Sequence, residues 1–416
     1  MKVVQTYLIC GLIILFSSCR FSKEKVTAER RTQLADYHQG EYGYDLVFLK
    51  KATKLVELVN GESRLVIAPE YQGRVMTSST GGLKGVSQGW INYDWIESQK
   101  VDDNSNPYGG EDRIWLGPEG GQFSVFFAKG TSSGKGIWRV PAPLDHEEFL
   151  IRSMNSERVI VDKDFDLENN SGNKFKVRIA RAITLLDSSE IRNNLGFEPG
   201  KSIHVVAYQS ENRLMNIGDK VWEKETGGLS IWELSMLRAS PAVVVILPYR
   251  KETEEKAFTD YFGDVPESHL KVTDKAIFFH ADGNCCSKIG ISPKKALPYM
   301  GSYDAKQNVL SIIQFSLERN QEYVNSLLED HQDDPFSGDA VNFYNDGLRD
   351  NGSRIGQFYE LETSSPAAFL KPGEEIVHTS RMYHFEGNRK DLDLLSRSLL
   401  YVSLDEIKNA FNISDL

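Results

Sequence analysis

The sequence predicts an all-β protein: one large antiparallel β-sandwich that ends in a short helical segment. Runs rich in β-branched and aromatic residues alternate with clusters of Gly, Asp, Asn and Pro through most of the chain. No repeat of roughly 20 to 50 residues is present, which argues against a propeller or a solenoid. Apolar residues recur at helical spacing near the end, at Leu392, Leu395, Leu399, Ile407 and Phe411. Many strands with few helices favour a sandwich.

The composition divides the chain into four segments. We predict a signal peptide over 1–18, a polar tether over 19–40, the sandwich domain over 41–390 and a C-terminal helical segment over 391–416. Strands are expected from about residue 45 onward. The strand candidates are Arg64–Ala68, Arg74–Met76, Arg158–Asp162, Phe175–Thr184, Ala242–Pro248, Ala276–His280, Val309–Leu317, Gln357–Leu361 and Ile376–His384.

The N-terminus has the pattern of a bacterial lipoprotein signal. Lys2 precedes an apolar run from Val3 to Phe16, and two serines stand before Cys19. This run is shorter than the roughly 20 residues that span a bilayer. We therefore expect cleavage before Cys19 and a lipid anchor on that residue, because several acyl chains together hold a protein at a membrane. An ordinary secreted protein with an incidental cysteine is the alternative. The basic residues that follow Cys19 favour the periplasmic face of the outer membrane.

Charge and cysteine content narrow the classes of partner. The net charge of −11 argues against nucleic acid, which requires basic surfaces. It is compatible with a carbohydrate ligand, and aromatic residues make up 11% of the chain. Cys285 and Cys286 are adjacent, and no disulfide framework or zinc-binding cysteine pattern is present. We expect a monomer.

Four stretches together resemble the galactose-mutarotase-like β-sandwich superfamily, and more closely an uncharacterised lipoprotein branch of it in gut and marine Bacteroidetes. They cover about residues 60 to 385 and consist of the hairpin Leu65–Val75, the loop Gly109–Gly121, the stretch Asn212–Trp232 and the pair Tyr359–Thr363 with Leu370–Glu374. The resemblance implies a sugar-binding cleft. It also implies that Glu362 is the general base and that Arg113 contacts the substrate.

Two carboxylates near the end of the chain are the candidates for acid–base chemistry. Because side chains alternate along a strand, Glu360 and Glu362 share one face with Phe358. They would lie roughly 7 Å apart, and their repulsion in a dry cleft would raise the pKa of one of them. Opening a sugar ring needs one group that removes a proton and one that donates a proton. A solvated strand face is the alternative interpretation.

Arg113 lies in a glycine-rich stretch beside Glu111, Asp112 and Trp115. A guanidinium offers a fixed fork of donors to neighbouring hydroxyls, and the indole could stack on a sugar ring. Alternatively, Arg113 pairs with Asp112 or Glu119 and braces the loop. Further substrate-binding candidates are Arg74, Asn345, Asp346, Arg381 and His384, although Tyr344–Gly347 first indicates a turn.

The stretch that corresponds to the mutarotase acid contains no histidine. It reads Leu-Ser-Ile-Trp-Glu over Leu229–Glu233. His204 and His280 lie near other strands and could replace the missing acid, although a single strand histidine is commonly a buried structural residue.

We predict no cofactor and no catalytic metal. Calcium is conceivable at the acidic stretch that contains Glu329, Asp330, Asp333, Asp334 and Asp339, because carboxylate oxygens suit that ion. The spacing does not match a calcium-binding loop, and a solvated acidic loop is the alternative.

Three functions remain open. The first is a carbohydrate-active enzyme of the cell envelope, either epimerase-like or glycan-cleaving, with Glu362 as base. The second is a glycan-binding lipoprotein without catalysis, and the third is a structural envelope protein. A fold does not determine a function, so the arrangement of Arg113, Trp115 and Glu362 has to discriminate between them.

Overall fold

The computed structural model describes residues 36–131, 136–251, 256–349 and 352–413. The predicted signal peptide and Cys19 lie outside these described residues. Within them are nineteen strands: β1 Val56–Asn60, β2 Ser63–Ala68, β3 Arg74–Ser79, β4 Arg113–Gly117, β5 Leu150–Met154, β6 Arg158–Glu168, β7 Lys174–Leu185, β8 His204–Asn216, β9 Ser230–Arg238, β10 Val243–Pro248, β11 Thr259–Asp260, β12 Leu270–Val272, β13 Ala276–His280, β14 Ser287–Ile291, β15 Tyr299–Asp304, β16 Val309–Phe315, β17 Val341–Asn345, β18 Phe358–Ser364 and β19 Glu375–Glu386.

The helices are few and short. The α-helices in the described residues are α1 Tyr42–Leu49, α2 Tyr93–Ser98, α3 Ser188–Leu195, α4 Arg389–Leu399 and α5 Leu404–Ala410. Single 3₁₀ turns occupy Pro69–Tyr71, Gly82–Lys84, Ala142–Leu144 and Lys224–Thr226. None of the helices that the structure describes is both long enough and apolar enough to cross a membrane.

Two antiparallel sheets pack face to face. The ten-stranded sheet has the order β12-β13-β10-β15-β16-β19-β8-β7-β6-β5, and the six-stranded sheet has the order β11-β14-β17-β18-β9-β4. A separate three-stranded sheet contains β1, β2 and β3. Apolar side chains from both large sheets form one core cluster, for example Val206 and Ile313 from one sheet and Ile231 and Leu361 from the other. This is the aligned packing of a β-sandwich.

The predicted fold class is therefore confirmed. Each of the nine strand candidates overlaps an observed strand. The expectation of strands from about residue 45 is wrong, because Tyr42–Leu49 forms α1. Its residues Tyr42, Leu46 and Leu49 pack in an apolar cluster with β2 and β3, so tertiary packing fixes this helix.

The C-terminal helices cover the outer face of the ten-stranded sheet. Leu392, Leu395, Leu399 and Ile407 are buried in a second apolar cluster with side chains of that sheet. Asn388 caps α4 and Ser403 caps α5, each accepting a hydrogen bond from a backbone N–H of the first turn. These four residues, which recur at helical spacing in the sequence, are therefore the buried face of the helices. The outer face of the six-stranded sheet carries a cavity instead.

Candidate functional site

A cavity of about 460 Å³ lies on the outer face of the six-stranded sheet. Alternate residues of its strands point outward into this cavity, while their neighbours point into the core. On β18, Phe358, Glu360 and Glu362 line the cavity, whereas Leu361 lies in the core cluster. The alternation predicted from the sequence is therefore present. The other strand residues that line the cavity are Arg113, Trp115, Trp232, Leu234, Met236, Lys288 and Tyr344.

The strand register places the charged side chains in adjacent rows. In one row, Tyr344 pairs with Glu360 across β17 and β18. In the next, Leu234 of β9 stands between Glu362 on one side and Arg113 on the other. Arg113 and Glu362 thus belong to one cavity although they are distant in sequence.

Arg113 forms a buried ion pair with Glu360. Its Nη2 donates to Glu360 Oε1 over 2.7 Å, and both side chains are less than one-tenth exposed. The guanidinium also lies over the ring of Trp115, with 4.2 Å between its central carbon and the ring centroid. The alternative of a pair with Asp112 or Glu119 is wrong. Arg113 is the first residue of strand β4 and is not part of a glycine-rich loop.

Glu362 lies at the bottom of the cavity and is only 1% exposed. Its Oε2 accepts a hydrogen bond from Trp232 Nε1 over 2.8 Å and lies 3.3 Å from Lys288 Nζ. Its Oε1 is buried and has no hydrogen-bond partner. Burial raises the pKa of Glu362 to about 7, with Lys288 lowering it and Glu360 raising it further. This carboxyl group can therefore change its protonation state near neutral pH.

Lys288 is a site residue that our sequence analysis missed. Its ammonium lies 3.3 Å from Glu362 and 3.6 Å from Glu119, and 4.3 Å above the ring of Trp232. Burial alone would lower the pKa of Lys288, but the surrounding carboxylates, Glu362 first, raise it above its usual value. Lys288 is therefore protonated before any reaction begins. A lysine in an alternating run, Ser287–Ile291, is the sequence signal that could have identified it.

Three indole rings form an aromatic wall of the cavity. Trp115 lies 5.4 Å from Trp232 and 6.0 Å from Trp138, measured between ring centroids. The buried Nε1 atoms of Trp115 and Trp138 and the Nε of Arg113 have no hydrogen-bond partner. Buried polar atoms without partners are costly, so these donors favour a ligand rich in oxygen. Trp138 and Trp232 were not predicted.

Tyr344 contributes a hydroxyl to the cavity. It donates to Asp346 Oδ1 over 2.6 Å and accepts from Arg349 over 3.2 Å. Asp346 is itself buried, and its Oδ2 accepts the backbone N–H groups of Ile355 and Gly356. Asp346 thus positions Tyr344 instead of lining the cavity. The predicted turn at Tyr344 is wrong, because β17 extends to Asn345.

The two histidines proposed as replacement acids are not among the described residues that line the cavity. His204 is exposed at the start of β8 in the ten-stranded sheet. His280 ends β13 of the same sheet, and its ring stacks on Phe411 at 5.3 Å between centroids. This correction follows from the topology, since strands of the other sheet cannot present side chains on the outer face of the six-stranded sheet.

Three further candidates belong to a polar network between the sheets. Asp112 forms an ion pair with fully buried Arg181 at 2.5 Å and accepts a hydrogen bond from Ser210. Glu111 lies 2.8 Å from His384 Nε2. These residues connect the sheets from within. Glu111, Asp112 and His384 therefore belong to this internal network and are not among the described residues that line the cavity.

The remaining predicted residues also lie outside the cavity. Arg74 is fully buried and donates to Gly109 O over 2.6 Å, and burial, with nearby Arg113, lowers its pKa to about 9. Asn345 donates to Cys285 O over 2.8 Å. Arg381 lies on β19, paired with Gln314 and Gln209.

The acidic stretch does not form a common cation site in the described residues. Asp339 is buried and accepts a hydrogen bond from Tyr261 over 2.9 Å, while Asp333 and Asp334 are exposed. Burial raises the pKa of Asp339 to about 6. The solvated-loop interpretation therefore fits its exposed members better than calcium binding does.

Residues 40–411 match DUF6786, a family of unknown function. No curated protein matches the sequence. A galactose mutarotase-like protein of Lactobacillus casei is similar in structure, with a TM-score of 0.49 and 8% identity over 80% of this chain and 100% of that one. A galactose mutarotase related enzyme of Lactobacillus acidophilus has a TM-score of 0.46 and 9% identity over 80% of this chain and 97% of that one. A protein of Synechocystis sp. PCC 6803 has a TM-score of 0.47 and 11% identity over 81% of this chain and 96% of that one.

Proposed function

The chain belongs to the DUF6786 family, and we propose that it binds a sugar in the cavity of the six-stranded sheet and acts on it with Glu362 as general base. The reaction is epimerase-like or glycan-cleaving. The observation that carries this proposal is the state of Glu362. Its Oε1 is buried without a partner, and its pKa is raised to about 7. A base works best when its pKa is close to the working pH.

The walls of the cavity fit a sugar. The indoles of Trp115, Trp138 and Trp232 offer flat apolar faces for the C–H side of a pyranose ring. Unpartnered N–H donors beside them suit its hydroxyl groups. The volume of about 460 Å³ lies within the usual range for small-molecule pockets.

Proton transfer can be assigned to two neighbouring groups. Glu362 removes the proton of the anomeric hydroxyl, the C1–O bond of the ring breaks, and Lys288 donates a proton to the released ring oxygen. When the ring closes on the other face, Lys288 takes its proton back from the ring hydroxyl and Glu362 returns its proton to the anomeric oxygen, and the two groups, 3.3 Å apart, are then in their starting states. Lys288 therefore takes the role for which no cavity histidine is present among the described residues.

The alternative is a glycan-binding protein without catalysis. The ion pair of Arg113 with Glu360 favours this alternative, because a guanidinium nitrogen that is bound to Glu360 is not available to a reacting sugar. Both functions use the same cavity, so a measurement of turnover has to separate them.

Anomer exchange on a panel of reducing sugars tests the proposal. We expect the protein to broaden or exchange-average the anomeric proton signals of at least one sugar in an NMR exchange experiment. Product analysis on oligosaccharides covers the glycan-cleaving case. Binding of a sugar without exchange or cleavage would select the alternative, and no binding to any sugar would reject both.

We further propose that the protein is exported and anchored through Cys19 to the outer membrane, facing the periplasm, and that it is a monomer. The support is the sequence pattern of residues 1–19. Sedimentation of the protein in detergent tests the monomer.

A further inference from the structure

A second cluster of polar side chains lies at the β12 edge of the ten-stranded sheet. His269, His280 and Asp282 each offer one ligand atom, and these atoms lie within 4.8 Å of one another. None of the three is among the described residues that line the cavity. We propose that this group binds a divalent transition-metal ion, with Zn²⁺ as the best-fitting ion.

The backbone brings the two histidines together. Leu270 of β12 pairs with Phe279 of β13, and the N–H of His280 donates to His269 O over 2.9 Å. The two histidines therefore continue the antiparallel ladder as opposite residues, whose Cβ atoms lie about 5 Å apart on one face. Asp282 follows two residues after His280, in the turn that leaves the strand.

The imidazoles are held in the orientation that metal ligands use. His280 Nε2 lies 2.9 Å from Pro241 O, so Nε2 carries the hydrogen and Nδ1 carries the free lone pair. His269 Nδ1 bonds to Ser268 Oγ over 2.9 Å, which leaves Nε2 facing Asp282. Metal-ligating histidines typically have their second nitrogen fixed by such a hydrogen bond.

The carboxylate is also fixed in place. Both oxygens of Asp282 accept hydrogen bonds from Asn284, one from its backbone N–H and one from its side-chain amide, each over 2.9 Å. A carboxylate oxygen with two imidazole nitrogens is a ligand set suited to Zn²⁺, with water completing the four ligands.

The distances need only a small adjustment. His269 Nε2 lies 3.3 Å from Asp282 Oδ1, which equals the separation of about 3.3 Å between two ligands of tetrahedral zinc. The three ligand atoms all lie within 4.8 Å of one another, so any separation wider than the tetrahedral value has to contract when the ion binds, and both imidazoles are partly exposed. The ring of His280 also stacks on Phe411, just after α5. A bound ion would therefore stabilise both the sheet edge and the packing of the C-terminal helices.

Calorimetric titration of ZnCl₂ into the purified full-length protein, without a histidine tag, tests this site. We expect one ion per chain and an affinity that falls by at least about tenfold in His269→Ala, His280→Ala and Asp282→Asn. Asp282→Asn keeps an acceptor and a similar shape, so it separates lost ligation from lost folding. His331→Ala, which changes an exposed histidine elsewhere, should bind as the original chain does.

The nearby thiols provide the competing explanation and a second control. The double variant Cys285→Ser, Cys286→Ser should retain zinc binding and the visible absorption of bound Co²⁺. Binding that disappears with the cysteines, or that is unchanged in both histidine variants, would overturn the assignment. An absence of binding at millimolar zinc would also overturn it.

Discussion

Lys288 and Glu362 form a charged pair at the bottom of the cavity, with 3.3 Å between Nζ and Oε2. Lys288 comes from β14 and Glu362 from β18, and β17 lies between these strands. The ammonium occupies one carboxylate oxygen and leaves the other, Oε1, without a partner. This asymmetry lets one oxygen be held in place while the second meets a ligand.

Glu362→Gln should abolish turnover while the protein still folds and binds sugar. The amide has nearly the shape of the carboxyl group but cannot accept the proton. We expect a loss of at least about a hundredfold in kcat, measured by anomer exchange or product formation. Glu157→Gln on the exposed surface is the matched control. A binding protein without catalysis would show no change in any assay.

Lys288→Met should move the acid limb of the rate profile to higher pH. The Lys288 ammonium lowers the pKa of Glu362, which is about 7 because of burial. Without the ammonium the carboxyl group should ionise only at higher pH, and the rate should also fall at every pH because the proposed acid is missing. Rate measurements against pH test this, with Lys294→Met as the exposed control. An acid limb at the same pH as in the original chain would contradict the assigned pair.

Arg113→Ala should destabilise the protein by about 3 kcal/mol, because it leaves Glu360 buried without its partner. The double variant Arg113→Met, Glu360→Gln should recover much of this loss. Denaturant unfolding of Arg113→Met, of Glu360→Gln and of this double variant measures the coupling. Additive effects of the two substitutions would mean that the pair contributes little to the folded state.

His378 should make the fold less stable in acid. It is buried between the sheets near Thr363 and Ser316, and burial lowers its pKa from 6.5 to about 4. Between these values the unfolded chain binds the proton and the folded chain does not, so stability falls as pH drops from 6.5 to 4. The expected loss is about 3 kcal/mol.

Unfolding of His378→Asn at several pH values measures this contribution. The variant should be less stable at pH 7 but should lose less stability on acidification than the original chain. His331→Asn, at an exposed histidine, should retain the original pH dependence. An identical pH dependence in His378→Asn would show that other groups cause the acid sensitivity.

Cys19→Ala should release the protein from the membrane fraction. The prediction rests on the small residues and cysteine after a short apolar run. Metabolic labelling with a fatty-acid analogue should mark the original chain but not the variant. An original chain without label would exclude the lipid anchor.

Much of the sandwich was predictable because strands with a buried face leave a strong alternation in the sequence. The alternation at Glu360 and Glu362 gave the correct face of β18. Short strands flanked by glycine were missed, because Gly109 and Gly110 before Arg113 indicated a loop. Helix α1 was missed because packing against β2 and β3 determines it.

The candidate site was only partly predictable, because sequence alone does not order strands within a sheet. Arg113, Trp115, Glu360 and Glu362 line the cavity, whereas His204, His280 and His384 lie elsewhere. Lys288 can be identified as a site residue only once it is known that β14 pairs with β17 in the sheet. The cross-strand neighbours of a residue depend on topology, and single-residue patterns carry little information about it.

The pairing of Arg113 with Glu360 has a consequence for biosynthesis. The two residues are 247 positions apart, so the guanidinium leaves the ribosome long before its partner has been made. Contacts of such long range form slowly and late in folding. Until β18 has been translated, β9 lacks one of its two neighbours in the sheet and offers an open hydrogen-bonding edge. A chain that stops before residue 358 would therefore be a substrate for chaperones and proteases. The cavity can be completed only after β18 has been synthesised.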